Sequence, residues 1–139
     1  MTNEKDYTLL SGLTLAYVGD AIYETYIRDY LVKSGQTRPN QLHRLATHYV
    51  SAKAQHYLIE KMMEQDLLTD VEQDMYRRGR NAKSHTSAKN TSVAVYRSST
   101  GFEALMGYLH LTEQKDRLEE VITWCIHTIG EKNNEKTAK

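Results

Sequence analysis

The chain holds 139 residues, a length that suits one domain with one hydrophobic core and leaves little room for a second. Apolar residues at 40% and charged residues at 26% exclude the low-hydrophobicity, high-charge signature of a disordered chain. Eighteen lysines and arginines balance eighteen aspartates and glutamates, so net charge by itself excludes no class of partner.

No run approaches the roughly 18 apolar residues needed to span a bilayer, and the opening "MTNEKDYTLL" lacks the basic-then-apolar order of a signal peptide. A cytoplasmic protein with no membrane partner is the expectation. Cys125 is the single cysteine and excludes an internal disulfide, while neither CxxC nor HExxH spacing offers a zinc site. Within "EEVITWCIHTIG" it reads as a small buried hydrophobe.

With one proline and few glycines, strand-and-turn punctuation is nearly missing, and an all-α fold is expected. From Leu13 to Val32, apolar positions Leu13, Ala16, Tyr17, Ala21, Ile22, Tyr26, Ile27 and Leu31 recur at three- and four-residue steps, with Gly35 as the stop. Arg38-Pro39-Asn40 opens a second helix in which Thr37 or Asn40 caps and Leu42, Leu45, Ala46, Tyr49 and Val50 form a stripe. Ser51 is a cap for "SAKAQHYLIEKMMEQ". Thr69 begins "TDVEQDMYRRGRN", with Asp70 and Glu72 in the first turn and arginines in the last, as the helix dipole favours. Residues 82–92 are small, polar and without periodicity, which predicts an exposed functional loop. Two more amphipathic helices follow, "VAVYRSSTGFEALMGYLHL" and "EQKDRLEEVITWCIHTIG". The pattern predicts one domain over 1–130 and a flexible tail over 131–139.

Charge is distributed unevenly. From Met75 to Phe102 there is no acid, while Arg77, Arg78, Arg80, Lys83, Lys89 and Arg97 are basic. The rest of the chain, with twelve basic residues against eighteen acidic, carries a net −6. A basic segment on an otherwise acidic molecule is the footprint of a polyanion site, although a solvated basic face gives the same pattern.

Two acids stand in apolar company. Asp20 lies inside "LAYVGDAIYE" and Glu103 inside "TGFEALMGYLHL". A lone buried carboxylate is costly unless something pairs with it. Two helices that each carry one such acid could meet in the core, and the small residues Gly19, Ala21, Ala104 and Gly107 would let them approach. Carboxylates at close range repel unless a proton or a cation lies between them, and oxygen-only ligation suits Mg²⁺. The sequence equally allows Asp20 at a helix edge bonded to a tyrosine or arginine, and Glu103 paired with Arg97 or Arg28.

"YVGDAIYE" and "STGFEALMGYLHL" together resemble the two signature regions of ribonuclease III catalytic domains, and "RRGRNAKSHTSAKNTSVAVYRSSTGFEAL" resembles the small bacterial subgroup called Mini-ribonuclease III. The resemblance runs over about residues 9–129. It implies an all-helical ribonuclease III endonuclease fold acting as a homodimer on double-stranded RNA with Mg²⁺, giving 5′-phosphate products. The implied substrate is the precursor of the large-subunit (23S) ribosomal RNA, with a large-subunit ribosomal protein as a candidate helper. By position it makes Asp20 and Glu103 the catalytic and metal-ligating acids. Three acids of the wider family are missing: Leu13 and Ala16 stand seven and four residues before Asp20 where glutamates are expected, and Thr100 replaces an aspartate three residues before Glu103. More coordinating waters, help from Thr100 or help from an RNA phosphate is then expected.

On this reading Arg77, Arg78, Arg80, Lys83 and Lys89 would track phosphates, and Asn81, Ser84 and Asn90 would reach 2′-hydroxyls. Arg44, His48 and Lys53 would flank the same groove. The tyrosines at 17, 23, 26 and 30 offer aromatic surface either for a dimer or for a filled core. The missing acids motivate one rival, a non-catalytic RNA-binding or ribosome-assembly module that keeps the fold.

Overall fold

The computed structural model describes residues 6–83 and 92–138, with side chains described as far as Asn134. A 3₁₀ turn at Tyr7–Leu9 leads into α1 (Gly12–Lys33), α2 (Pro39–Val50), α3 (Ala52–Glu64), α4 (Asp70–Arg80), α5 (Val93–Leu111) and α6 (Lys115–Ala138). No strand occurs among the described residues. The expected all-α class is what folds.

Helix starts follow local chemistry. Ser11 caps α1 by accepting the Thr14 N–H, and Ser51 caps α3 by accepting the Ala54 N–H at 3.2 Å. Thr69 and Glu72 form a capping box on α4, each side chain accepting the other's backbone N–H, at 3.1 and 3.0 Å. Gly35, at φ +105°, turns the chain out of α1 where a side chain would be strained. At α2 the expectation fails: Pro39 takes the first helical position, Arg38 becomes the N-cap, and no side chain caps the end. The proline has no N–H to satisfy there, which removes part of the need for a cap. Residues 131–138, read as a tail from the sequence, continue α6. They contain neither glycine nor proline, and Lys132 sits 4.0 Å over the Tyr57 ring.

Helix α5 is the hub, packed by α1, α3 and α4. Its Phe102, Ala104, Leu105, Met106 and Leu109 are fully buried, and Phe102 meets Tyr23 of α1 edge to face at 4.8 Å. Helix α6 closes the other side with Leu118, Ile122, Cys125 and Ile129. Cys125 is the buried hydrophobe expected. Glycines set how closely the helices cross. A Cβ on Gly19 would overlap the Glu103 carbonyl oxygen, and one on Gly107 would overlap the Leu15 carbonyl oxygen. Gly12 meets the Arg78 carbonyl, and a Cβ on Gly79 would lie 2.8 Å from the Gly101 Cα. Helices α1, α4 and α5 therefore touch backbone to backbone. Gly19 and Gly107 act as expected, whereas Ala21 is exposed and takes no part.

The face of α1 also departs from expectation. Leu15, Ala16, Gly19, Tyr23, Ile27 and Leu31 are buried, but Leu13, Tyr17 and Asp20 are exposed. Asp20 is thus not a buried acid. It continues a second, solvent-facing stripe of α1 with Leu13 and Tyr17, which three- and four-residue spacing alone does not separate from the core face.

One buried ion pair links α4 to α6. Glu72, 3% exposed, accepts from Arg117 Nε at 2.9 Å and Nη2 at 2.7 Å, and Arg117 also donates to the Leu67 carbonyl at 2.8 Å. Burial alone would push the Glu72 carboxyl up, but Arg117 and the Thr69 N–H together hold it below its ordinary value. Arg117→Ala leaves a buried carboxylate without its partner and is expected to destabilise the fold by about 3 kcal/mol at pH 7. Because the folded-state pKa is depressed, the pair's contribution is present above the unfolded value and is lost as pH falls through the folded one. Urea unfolding should therefore show the two proteins converging in acid; a gap that stays constant down to pH 3 would refute this.

Candidate active site

The α1–α5 crossing decides where the two acids stand. Gly19 lies against the Glu103 backbone, so Asp20, the next residue of α1, is carried to the rim of α5 at Glu103. Asp20 is exposed and Glu103 half-buried beneath it. Their side chains hydrogen-bond, and neither Arg97 nor Arg28 takes Glu103. Arg28 pairs instead with Glu24 on its own helix. Burial, the Asp20 charge and the bond to Asp20 push the Glu103 carboxyl up to about 8, with Glu24, one turn beyond Asp20, adding to the push. A donated hydrogen bond from Gln55 acts in the opposite sense. At neutral pH Glu103 therefore keeps its proton.

Gln55 is absent from the sequence-based site. It is 2% exposed, on the buried face of α3 with Ala54, Leu58, Ile59 and Met62. The signal was present: its spacing places an amide on the apolar face, and a buried amide requires a partner.

Of the three positions that lack the wider family's acids, Leu13 is exposed and the other two are taken up by the fold. Ala16 is buried among Leu15, Met75 and Ala104. Thr100 Oγ1 donates to the Tyr96 carbonyl at 3.1 Å, one turn back in its own helix. Among the described residues no group of three or more His, Cys, Asp or Glu gathers in ion-holding proximity. The donor set at the crossing is all oxygen on its acidic side, which suits a hard cation that completes its shell with water and phosphate, as Mg²⁺ does. The Glu103 carboxyl is raised first by burial and then by repulsion from Asp20, and a cation there would relieve the repulsion.

The basic residues cluster at the end of α4. Arg77, Arg78, Asn81 and Lys83 are exposed and Arg80 is half-buried. Arg77 bonds Gln73 and Asp74, Arg78 donates to the Leu10 carbonyl at 3.2 Å, and Arg80 lies 5.5 Å over the Tyr76 ring while bonding Asn81. Through Gly12 and Gly79 this helix end is fixed against α1 and α5. Gly12 is eight residues from Asp20, so the basic end meets α1 about 12 Å along the helix from the acid pair. Ser84, Lys89 and Asn90, with most of the expected loop, lie outside the described residues.

The Ribonuclease III domain family matches residues 13–114, which contain both acids and the basic helix end. The chain is 67% identical over 129 residues to the Mini-ribonuclease 3 of Enterococcus faecalis, covering 93% of this chain and 98% of that protein. It is 55% identical over 124 residues to that of Streptococcus pneumoniae, covering 89% and 97%. The chain belongs to the Mini-ribonuclease 3 family. A crystal structure of a Fusobacterium nucleatum protein shares the fold, with a TM-score of 0.77 at 29% identity over 90% of this chain and 98% of that one. Membership in the Mini-ribonuclease 3 family makes the protein an endoribonuclease, and the Asp20–Glu103 crossing falls inside the matched domain. Among the described residues no helix is long and apolar enough to cross a membrane.

The proton kept on Glu103 gives a direct test of the pair in the metal-free protein. Between about pH 4.5 and 8 the folded state retains a proton on Glu103 that the unfolded chain releases, so stability should fall as pH rises through that window. Asp20→Asn removes the nearby charge. The Glu103 titration, followed by carboxyl ¹³C NMR, should then move down towards the ordinary glutamate range and the alkaline loss of stability should shrink. An unmoved midpoint would mean that Asp20 does not govern Glu103.

Proposed function

We propose that the protein hydrolyses double-stranded RNA in a Mg²⁺-dependent reaction, with Asp20 and Glu103 as the metal-holding catalytic acids. The observation that carries this is the convergence of the two carboxyl groups at the open rim of the α1–α5 crossing. A Mg²⁺ there would supply a hydroxide near neutral pH and neutralise charge building on the phosphate. The exposed Asp20 carboxylate is positioned to orient the attacking water towards an approaching backbone. Glu103, deeper and bonded to both Asp20 and Gln55, fixes the inner side of the site. In-line displacement at the phosphorus with departure of the 3′ oxygen leaves a 5′-phosphate and a 3′-hydroxyl.

The deep major groove of duplex RNA is closed to side chains, so contacts fall on phosphates and 2′-hydroxyls. The exposed ends of Arg77, Arg78, Arg80 and Lys83, with Asn81 between them, suit that task, and Ser84, Lys89 and Asn90 extend the same segment in sequence. A second cationic surface is a cleft of about 560 Å³ between α2, α3 and α6, lined by His43, Arg44, His48, Lys53 and Lys132 with no acid among its lining residues. A homodimer is supported by an apolar stripe beside Asp20: Leu9 at 80% and Tyr17 at 82% exposure, with Leu13 between them. Tyr23, by contrast, fills the core. A two-fold pair would present two acid sites, one to each strand. The Mini-ribonuclease III resemblance favours the precursor of large-subunit ribosomal RNA as substrate, with a ribosomal protein as helper, which end-mapping of cleaved precursor would test.

Asp20→Asn should abolish cleavage of duplex RNA in Mg²⁺ while leaving RNA binding and the circular-dichroism spectrum unchanged, and EDTA should silence the wild-type protein. Full activity in the variant or in EDTA would overturn the assignment. Replacing Arg78 and Arg80 together by alanine should weaken RNA binding and lower the slope of log affinity against log salt by about two. An unaltered slope would place the RNA path elsewhere on the surface.

A further inference from the structure

Four polar or charged side chains are buried among the described residues: Gln55, Glu72, Ser98 and Ser99. Three serve the fold. Glu72 is matched by Arg117, Ser99 donates to the Tyr96 carbonyl at 2.7 Å, and Ser98 shares a bond with the Tyr76 hydroxyl at 3.4 Å. Gln55 is different, because its partner is Glu103, an acid at the rim of the proposed active site. The bond from Gln55 favours the ionised form of Glu103, which only accepts, so the amide N–H of Gln55 is the donor.

We infer that Gln55 is the positioning residue of the active site: from α3 it fixes the Glu103 carboxyl so that one oxygen is held by the amide and the other is turned towards Asp20 and the incoming metal and RNA. The inference rests on the proposed metal role of Glu103. Its physical basis is the lack of any other firm restraint on Glu103 among the described residues. A glutamate side chain has three rotatable bonds, and Asp20, the other side chain bonded to it, is exposed. Asp20 is therefore a poor anchor. Gln55 is held by its burial between Ala54 and Leu58 of α3, which packs directly on α5, so the orientation it imposes is as rigid as the core. A neutral donor suits the position. Where relatives in the wider family place further carboxylates, this chain has Ala16 and Thr100; an amide organises the remaining acid without adding a third negative charge to a pair that already repels. Groups that orient a metal ligand in this way change metal affinity or rate about 10- to 100-fold when removed.

The test uses the full chain with Gln55→Met, which keeps length and burial but cannot donate, and Gln55→His, whose ring N–H reaches about as far as the amide. Three readouts are taken: the thermal midpoint, the affinity of the RNA-free protein for Mn²⁺ by electron paramagnetic resonance, and kcat and KM on a duplex RNA. In Gln55→Met the inference expects a Mn²⁺ affinity weaker by about tenfold and a kcat lower by at least as much, with KM for RNA unchanged. Gln55→His should recover most of both. Wild-type Mn²⁺ affinity and kcat in a folded Gln55→Met protein, or a lowered thermal midpoint with no other change, would overturn it. If Gln55→Met does not fold, Gln55→Asn, which withdraws the amide by one methylene, replaces it with the same expectation.

Failure of the wider reading is distinguishable. If the wild-type protein does not cut duplex RNA, the substrate assignment falls, and the Mn²⁺ affinities still decide the role of Gln55. If the wild-type protein binds no Mn²⁺, the metal reading falls. The kcat of Gln55→Met on duplex RNA then decides: the inference expects it lowered with KM unchanged, and a wild-type kcat overturns it.

Discussion

The backbone contact between Gly19 and Glu103 is the constraint on which the rest of the molecule depends. Helices carrying ordinary side chains pack 8–10 Å apart, and at that distance an acid on each would meet only through long, loosely held side chains. Here Gly19 and Gly107 remove the Cβ atoms at both ends of the contact, so α1 and α5 cross carbonyl against Cα. Asp20 follows Gly19 directly, and Glu103 is the residue whose carbonyl Gly19 touches. The same two residues therefore define the tightest packing in the fold and the position of its acid pair.

The tight crossing spreads outward through further glycines. Gly12 on α1 and Gly101 on α5 receive the end of α4 at Arg78–Gly79, and the Tyr76 ring covers Gly101. The arginines at that end are presented from a rigid support, with their carbonyl-rich helix terminus adding negative potential that favours their charge. The Thr69–Glu72 capping box and the Arg117 pair hold the opposite end of α4. Helix α4 is thus fixed at its start by a buried ion pair and at its finish by backbone contact, and its basic turn stays in register with the acids about two turns of α1 away.

How much of this could be read from the sequence depends on the range of the interaction. Caps at Ser51 and Thr69 are local, decided within four residues, and they were legible. The missing cap at α2 was not, because proline at the first helical position leaves the choice of the preceding residue open. The partnership of Asp20 and Glu103 was legible only as two acids in similar company with small residues beside them. Which of the two is buried depends on the second apolar stripe of α1, Leu13 and Tyr17, and periodicity does not say whether such a stripe meets the core or solvent. Gln55 is the clearest loss: an amide on an apolar face signals a buried bond, but the acid that accepts it is 48 positions away in the chain.

The electrostatics of the site explain why so few acids can serve. Glu103 holds its proton up to about 8 because burial and Asp20 both oppose its ionisation, and Glu24 adds to this even while paired with Arg28. Each further carboxylate at Ala16 or Thr100 would raise that barrier, and both positions are filled by packing: Ala16 against Met75 and Ala104, Thr100 bonded to its own helix. A crossing this close leaves no room for additional side chains at the backbone contact. What it offers instead is a fixed pair of carboxyl oxygens, one exposed and one half-buried, with a neutral donor behind the inner one. Were a divalent cation held there, as proposed, proton release and cation entry would be coupled at this site, and the affinity for the cation would rise with pH until Glu103 is ionised.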